Sequence, residues 1–261
     1  MRIIILICIA FLFNACTAAK AVIAMNKSTE HFMMLEQDNR IFYENGAKKN
    51  ALNIANRLNN TISTVEKKQY RKFTKPIAIY VCNTVKSFTS YCVIKHASGC
   101  VLNERLFLSP KNFQPNQDVL THELSHLHIE QQLGMYKWHS DYPAWFQEGL
   151  ATYISQGQGA KKATIEDAKK EIYLGNHFSP NLTGSLLSPK TAYSFGLKTN
   201  MFYRQSAMFV QFMHDLDEQK FKILLLSIED GKNFEQVFLT TYGITLNKIW
   251  QQFIKQYHSK I

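Results

Sequence analysis

The sequence lacks the features that would place it in a specialised class of protein. Its 261 residues contain no internal repeat and no low-complexity tract, and 46% hydrophobic with 19% charged residues is ordinary for a globular protein. The net charge is +10, but the basic residues occur in scattered pairs such as Lys48–Lys49 and Lys161–Lys162. Because no basic stretch is interleaved with aromatic residues, we expect no nucleic-acid partner. The charge would favour only an unspecific attraction to anionic envelope polymers or membranes.

The hydrophobic run at the N-terminus is too short to span a bilayer well. Arg2 precedes an apolar run over residues 3–13, and small residues follow it. This order is typical of a secretory signal. Ala19-Lys20-Ala21 offers a cleavage site, and lipidation of Cys16 is the alternative. In either case we expect residues 1–21 to direct export, so that the mature protein is periplasmic, in the cell envelope or extracellular, and lipid-anchored in the second case.

Cysteine is scarce, and its spacing argues against a zinc site built from thiolates. Only Cys82, Cys92 and Cys100 follow the export segment, and none of them has the spacing of a zinc motif. An oxidising compartment permits one disulfide among three thiols. We expect it between Cys92 and Cys100, because the intervening chain can fold back at Ser98-Gly99. Cys82 is expected to be a buried free thiol at the end of an apolar strand.

The most informative stretch is HELSHLHIE, at residues 122–130. His122 and His126 are four residues apart, so on a helix both imidazoles lie on one face and can reach one tetrahedral zinc ion. Glu123 follows the first histidine, where it can act on a water molecule instead of binding the metal. This is the H-E-x-x-H pattern of a metallopeptidase, although the same letters also occur by chance on the polar face of an ordinary helix.

The flanking residues predict the helix that this pattern requires. Apolar side chains recur at helical spacing, at Leu120, Leu124 and Leu127. Asn116 or Asp118 can cap the start of the helix, and Gly134 can end it. His128 lies about 200° around the helix from His126, at about 100° per residue, so it cannot join the same site. We expect His128 to be an ordinary surface or rim histidine.

A catalytic zinc site needs a third protein ligand and an open position. Downstream lies DYPAWFQEGLATYIS, residues 141–155, in which Asp141 can cap a second helix and Pro143 can open it. Glu148 stands in the middle of an otherwise apolar part of this helix. A carboxylate is costly to bury without a partner, and a metal ion is such a partner. We therefore expect Glu148 to be the third ligand; the alternative is a glutamate on the exposed side of its helix.

Together, HELSH and WFQEGLA resemble the gluzincin metallopeptidases, and most closely the bacterial peptidase MA-like family. The resemblance implies one catalytic Zn²⁺ bound by His122, His126 and Glu148, with Glu123 as the general base. PIAIYVCNTVKSF and RLFLSP look like the strands that precede the zinc helix in that family, and residues 201–213 and 242–257 are similar to its C-terminal helices. The segment from residue 157 to residue 199 has no such similarity.

The resemblance also points to a hydrogen-bond donor for the oxyanion. Gluzincins commonly place a Tyr or His from the C-terminal lobe opposite the zinc. Tyr203 stands in FYRQS, which looks like the Y-x-Q-S helix of the family, and it follows both zinc motifs in the expected order. A tyrosine hydroxyl can donate to an oxyanion while its ring packs on an apolar wall. Tyr203 is thus the candidate donor and Tyr193 the reserve, against the alternative that Tyr203 only fills the core.

The coarse pattern predicts an α+β fold. Residues 47–69 are typical of an amphipathic helix, and residues 77–81 and 105–109 of strands. One face of that helix should carry Leu52, Ala55, Leu58, Ile62 and Val65. The resemblance implies a zincin-like arrangement, with a small mixed sheet beside the H-E-x-x-H helix, a helical C-terminal lobe, and substrate added along RLFLS as an edge strand.

We expect four segments along the chain. They are an export signal at 1–21, an N-terminal helix with the sheet and the zinc-binding helices at 22–156, an irregular insertion at 157–199 and the C-terminal lobe at 200–261. The insertion should be a long surface excursion with a short helix near residues 161–173.

Two functions are compatible with these residues. The first is an exported zinc-dependent metallopeptidase that hydrolyses peptide or protein substrates. The alternative is a binding or assembly module of the cell envelope that retains a zinc site with little or no peptidase turnover. The intact Glu123 favours the enzyme, because a structural zinc needs no base and usually fills its fourth position with Cys or His.

Overall fold

The computed structural model describes residues 23–92, 96–113, 119–186 and 188–258. The expected export signal, with Cys16 and the cleavage site Ala19-Lys20-Ala21, lies outside the described residues, and so do the capping candidates Asn116 and Asp118. The chain divides into two compact units, residues 1–57 with 77–114 and residues 58–76 with 115–261. The four segments expected from the sequence stay a prediction.

The first unit is built on a small mixed sheet of five strands. The strands are β1 (Met33–Leu35), β2 (Asp38–Tyr43), β3 (Ile79–Val81), β4 (Gly99–Leu102) and β5 (Arg105–Leu108). They lie in the order β1-β2-β3-β5-β4, with β2, β3 and β5 parallel and the two outer strands antiparallel to their neighbours. Together with the helices below, the sheet confirms the α+β class.

The expectation that RLFLS forms an edge strand is wrong. β5 pairs with β3 on one side and with β4 on the other. The reason is the turn at Asn103-Glu104, where φ values of 52° and 59° fold β4 back onto β5 as a tight hairpin. β4 is therefore the outer strand at this end of the sheet.

Helix α1 (Lys48–Gln69) matches the amphipathic helix expected at residues 47–69. Its fully buried apolar face carries Ala51, Ile54, Leu58 and Val65. Leu52, Ala55 and Ile62, which were expected on that face, are half-buried at its margin. The helix thus forms where the periodicity predicts it. The centre of its buried face is turned slightly around the helix axis from the predicted one, by less than the angle between successive residues.

The cysteines behave as their spacing predicts. Helix α2 (Val85–Tyr91) begins after Thr84, whose side chain accepts a hydrogen bond from the Ser87 N–H. Cys92 follows this helix and forms a disulfide with Cys100 on β4, which confirms the expected pair. Cys82 is a free thiol directly after β3, and burial raises its pKa to about 12. Cys82 is thus the buried free thiol that the sequence predicts, and its raised pKa disfavours the reactive thiolate.

The second unit is dominated by helices. They are α3 (Leu120–Leu133), α4 (Met135–Asp141), α5 (Ala144–Ile154), α6 (Ile165–Tyr173), α7 (Thr199–Leu216), α8 (Glu218–Glu229), α9 (Phe234–Tyr242) and α10 (Leu246–His258). Short 3₁₀ helices cover Pro110–Phe113 in the first unit and Ala192–Phe195 in the second. Every helix in the described part of the chain is too short or too polar to cross a membrane.

Helix α3 ends at the expected residue, but α5 does not begin with the expected cap. α3 ends at Gly134, as expected, and the Gly134 N–H donates to the Glu130 carbonyl at 2.7 Å. Asp141 does not cap α5, because the additional helix α4 runs up to it and its carboxylate accepts from Lys137 Nζ at 3.1 Å. α5 instead begins after Pro143.

Helices α5 and α7 are in close contact at Gly149, which follows Glu148, and at Ser206, one turn after Tyr203. A Cβ atom at Gly149 would lie 2.8 Å from the Ser206 carbonyl oxygen, closer than real Cβ contacts allow. Glycine at this position therefore lets the two helix backbones touch. Around the contact, Trp145 of α5 packs on Phe209 of α7, with ring centroids 5.3 Å apart. The aromatic packing fixes α5 and α7 relative to each other.

The segment from residue 157 to residue 199 is more than a surface excursion. It contains the expected short helix, α6, which starts with a capping box between Thr164 and Asp167. It also buries Phe178 completely, with its ring 4.7 Å from that of Trp250 in α10. Most of the described residues in this segment are exposed, as expected of a surface excursion, but a few buried apolar side chains at wide spacing anchor it to the helical core.

Candidate metal centre

His122 and His126 lie one turn apart on the same face of α3. Their Nε2 atoms are 3.2 Å apart, and their rings are nearly perpendicular, with an interplanar angle of 76°. The two side chains are 5% and 14% exposed, so both imidazoles are largely shielded from water. The i, i+4 spacing thus does what the sequence predicts: it presents two ring nitrogens at one point.

Glu148 reaches the same point from α5. Its Oε2 atom lies 3.3 Å from His122 Nε2 and 3.6 Å from His126 Nε2. This oxygen is buried and has no hydrogen-bond partner among the residues that the structure describes, although both imidazoles are within ion-pair distance. Glu148 does not face solvent on the far side of its helix, which was the alternative to the ligand role.

The three atoms form a triangle that suits a zinc ion. Zinc bound at about 2.0–2.1 Å in a tetrahedron has neighbouring ligand atoms about 3.3–3.4 Å apart. The observed separations of 3.2, 3.3 and 3.6 Å are close to this value. Two imidazole nitrogens and one carboxylate oxygen are also the donors that a hydrolytic zinc site uses. Among the residues that the structure describes, His122, His126 and Glu148 form a cluster that could hold a metal ion, with one ligand atom from each within 4.8 Å of the others.

The two carboxylates at the site differ in their electrostatics. Burial by itself would raise the pKa of Glu148, but the nearby imidazoles of His122 and His126, both within ion-pair distance, outweigh burial and lower it. Burial raises the pKa of Glu123 to about 7; the charge of His126 opposes this shift, and that of Glu148 adds to it. Glu148 is therefore suited to bind a cation, whereas Glu123 is suited to exchange a proton near neutral pH.

Two contacts to the His122 imidazole come from residues that the sequence did not single out. Thr152, one turn after Glu148 on α5, places Oγ1 3.5 Å from His122 Nδ1. A proton on Nδ1 directed at this hydroxyl leaves the Nε2 lone pair free for a metal. Gly159 packs its backbone on the same ring, since a Cβ there would lie 2.9 Å from Cε1. Thr152 could have been found from its i, i+4 spacing to Glu148; Gly159 had no local signal.

Tyr203 lies at the site, and Tyr193 does not. The Tyr203 ring is nearly parallel to the His122 ring, with centroids 6.0 Å apart and an interplanar angle of 18°. Burial raises the pKa of Tyr203 well above its usual value. The Glu148 carboxylate, which interacts with the Tyr203 hydroxyl, raises it further, and so does the charge of Glu123. Tyr193 is 94% exposed, so the reserve assignment is wrong in this structure.

His128 is on the opposite face of α3, but it is not a surface or rim residue. It is completely buried, with Nε2 2.9 Å from the Arg71 carbonyl and Nδ1 3.6 Å from Glu229 Oε1. The expected separation from the site is confirmed and the expected exposure is wrong. The reason is that α3 is buried on both faces, so a polar side chain pointing away from the metal centre still enters the interior.

His139 on α4 lies close enough to the metal centre to interact with it electrostatically, and no sequence pattern indicated this. It is partly buried, and burial lowers its pKa, with the charge of His126 lowering it further. A hydrogen bond with Gln147 and the charge of Glu148 act in the opposite direction. His139 therefore belongs to the electrostatic surroundings of the metal centre.

Comparison with known proteins agrees with this geometry. Residues 58–256, about three quarters of the chain, match the family model of the Peptidase MA superfamily. No curated protein matched the chain. The matched range contains His122, Glu123, His126, Glu148 and Tyr203. The chain belongs to the peptidase MA superfamily.

Proposed function

We propose that this protein is a zinc-dependent metallopeptidase that hydrolyses peptide bonds in peptide or protein substrates. The observation that carries the proposal is the convergence of His122 Nε2, His126 Nε2 and Glu148 Oε2 within 3.2–3.6 Å of one another. Membership of the peptidase MA superfamily supports it, because that superfamily is typically zinc-dependent. Zinc held by these three groups would acidify a water molecule and polarise a substrate carbonyl.

Glu123 would move the proton in this reaction. Its side chain comes from the residue after His122 and is 8% exposed, so it lies in the shielded region of the site. With a pKa raised to about 7, it can accept the proton of the attacking water and then donate it to the leaving amine. Glu123 acts as base and acid in turn, and it is not a ligand.

Tyr203 would stabilise the oxygen of the scissile carbonyl. Because its pKa is raised well above the usual value, the hydroxyl keeps its proton at neutral pH and remains a donor. Charge that develops on the carbonyl oxygen during attack would receive this hydrogen bond. The packing of the Tyr203 ring next to the His122 ring supports this role.

The test is cleavage of a peptide library by purified protein of known zinc content. Glu123→Gln should retain zinc and lose about 10²–10⁴-fold in turnover, since it removes only proton transfer. Glu130→Gln, which changes another buried glutamate on α3, is the matched control and should retain activity. Wild-type protein that holds zinc and cleaves no peptide would contradict the proposal, and it would favour a binding or assembly module of the cell envelope.

We further propose that the protein works outside the cytoplasm. The N-terminal pattern of Arg2 followed by a short apolar run supports export, and so does the Cys92–Cys100 disulfide, because such bonds persist in oxidising compartments. Mass spectrometry of the mature chain should show a start after residue 21 or a lipid on Cys16. An intact cytoplasmic chain that starts at Met1 would contradict export.

A further inference from the structure

The second unit contains a cavity of about 570 Å³, which is lined in part by Thr152, the residue that also contacts the His122 imidazole. Side chains from α5, α6, α7 and α10 and from the end of α1 line it, and none of the three candidate metal ligands does. Its volume is in the range of pockets that hold small molecules. The proposed peptidase reaction assigns no role to this cavity.

Two cations face the cavity without a carboxylate partner. Lys68 Nζ donates to the Ile154 carbonyl at 3.0 Å, and Arg204 Nε donates to the Ala163 carbonyl at 2.8 Å. Within the described ranges, neither side chain has a carboxylate oxygen within salt-bridge distance. Burial lowers the pKa of both groups. Their positive charge is thus partly removed from water. Carbonyl dipoles, including that of Ala160 at 3.3 Å from Arg204 Nη2, and the Tyr153 ring next to Lys68 offset it only in part, so that an anion would be favoured here.

Two other charged side chains line the cavity, and each has a polar partner. Lys169 Nζ lies 2.7 Å from Glu166 Oε1. The one lining carboxylate, Asp215, accepts from Gln211 Nε2 at 2.7 Å and lies 2.9 Å from His214 Nδ1. With Lys68, Lys169 and Arg204 set against Asp215, the lining of the cavity carries a net positive charge.

The remaining wall of the cavity is largely apolar. Lys68 Nζ stands 5.2 Å from the centre of the Tyr153 ring, which also lines the cavity. Met208, Phe212 and Tyr257 complete this wall. A ligand that fits must bring both a negative charge for the cations and an apolar body for the aromatic side chains.

We propose that this cavity binds a small organic carboxylate with an aromatic or alkyl body, with the carboxylate next to Lys68 and Arg204. A carboxylate has two oxygens, each of which can accept a hydrogen bond from a cation that lines the cavity. The apolar body would bury the exposed faces of the aromatic rings. This inference does not depend on the metal centre, so it can be tested on metal-free protein.

The test is calorimetric titration of the full chain, treated with chelator, with phenylbutyrate and with its neutral amide, phenylbutyramide. Phenylbutyrate should bind at one saturable site, and the amide should bind at least about tenfold more weakly, because it lacks the charge. Lys68→Met should weaken phenylbutyrate binding by a similar factor. Lys222→Met is the matched control, since Lys222 also lies over a tyrosine ring, that of Tyr70, but does not line the cavity.

A second pair of variants covers the case in which Lys68→Met fails to fold. Ile165 lines the cavity and is 49% exposed, so a polar replacement should leave the fold intact. Ile165→Glu should weaken phenylbutyrate binding by like-charge repulsion, whereas Ile165→Gln should leave it nearly unchanged. Equal binding of acid and amide, no saturable binding to folded wild type, or equal affinities of the two Ile165 variants would overturn the proposal.

Discussion

Glu229 is a buried carboxylate next to Arg71 and His128, and its protonation should govern how stability varies with pH. Its Oε2 atom lies 3.2 Å from Arg71 Nε, and its Oε1 atom 3.6 Å from His128 Nδ1. Burial raises the pKa of Glu229 to about 8; the charge of Arg71 opposes the shift and that of Asp230 adds to it. We therefore expect Glu229 to be largely protonated in the folded protein at neutral pH.

The size of the effect follows from the two pKa values. In the unfolded chain this carboxyl ionises near 4.5, and in the folded chain near 8. Between these pH values the folded chain holds more protons, so the free energy of unfolding falls as pH rises. At about 1.4 kcal/mol per pKa unit, the whole difference corresponds to on the order of 4–5 kcal/mol. The contribution is fully present below pH 4.5 and is lost as pH passes 8.

The perturbation is Glu229→Gln, which keeps the shape of the protonated carboxyl and cannot ionise. The assay is urea unfolding at several pH values between 5 and 9, followed by tryptophan fluorescence. All three tryptophans, Trp138, Trp145 and Trp250, lie in the same unit as Glu229, so the signal reports on that unit. The variant should gain stability relative to wild type as pH rises, by a few kcal/mol at pH 9.

The matched control is Asp230→Asn. Asp230 contacts the same Arg71 side chain, at 2.8 Å, but its own side chain is 48% exposed. Its replacement should leave most of the pH dependence in place, because burial is the main cause of the raised pKa of Glu229 and the charge of Asp230 only adds to it. If Glu229→Gln is instead less stable than wild type by the same amount at every pH, the carboxylate is ionised in the folded protein, and the reasoning is refuted.

Two further predictions concern the metal centre. Tyr203→Phe should lower kcat about 10²–10³-fold with zinc content unchanged, since it removes one oxyanion donor, and steady-state kinetics should show no such loss for the 94% exposed control, Tyr193→Phe. Gly159→Ala should weaken zinc binding about 10–100-fold, because its Cβ would meet His122 Cε1 at 2.9 Å and displace the ring. Zinc affinity would be measured by chelator competition, with Gly175→Ala as the control. Gly175 also has a positive φ, of 82°, but no atom lies within 4 Å of a Cβ added there. Equal zinc affinities of the two alanine variants would contradict the proposed contact.

The parts that the sequence predicts are those set by local spacing. His122 and His126 share a face because they are one turn apart. Glu148 was found because a carboxylate in an apolar helix needs a partner. The Cys92–Cys100 disulfide needed only a short chain that folds back at Ser98-Gly99. In each case a few neighbouring residues carry the physical constraint.

The parts that the sequence did not predict depend on distant segments. The helical position of His128 gives its direction, but only the packing of Arg71 and Glu229 shows that this direction is buried. The contact of Gly159 with His122 requires the chain after α5 to return over the ring. The inner position of β5 depends on β4 folding back onto it.

The most direct test of the account is the zinc affinity of wild type, Glu148→Gln and Glu123→Gln, measured by chelator competition with elemental analysis. Wild type should bind one zinc per chain. Glu148→Gln should lose far more affinity than the about 10–100-fold typical of a residue that only supports a ligand, and Glu123→Gln should bind as wild type does. Glu148→Gln with wild-type affinity, or Glu123→Gln without zinc, would contradict the ligand assignment.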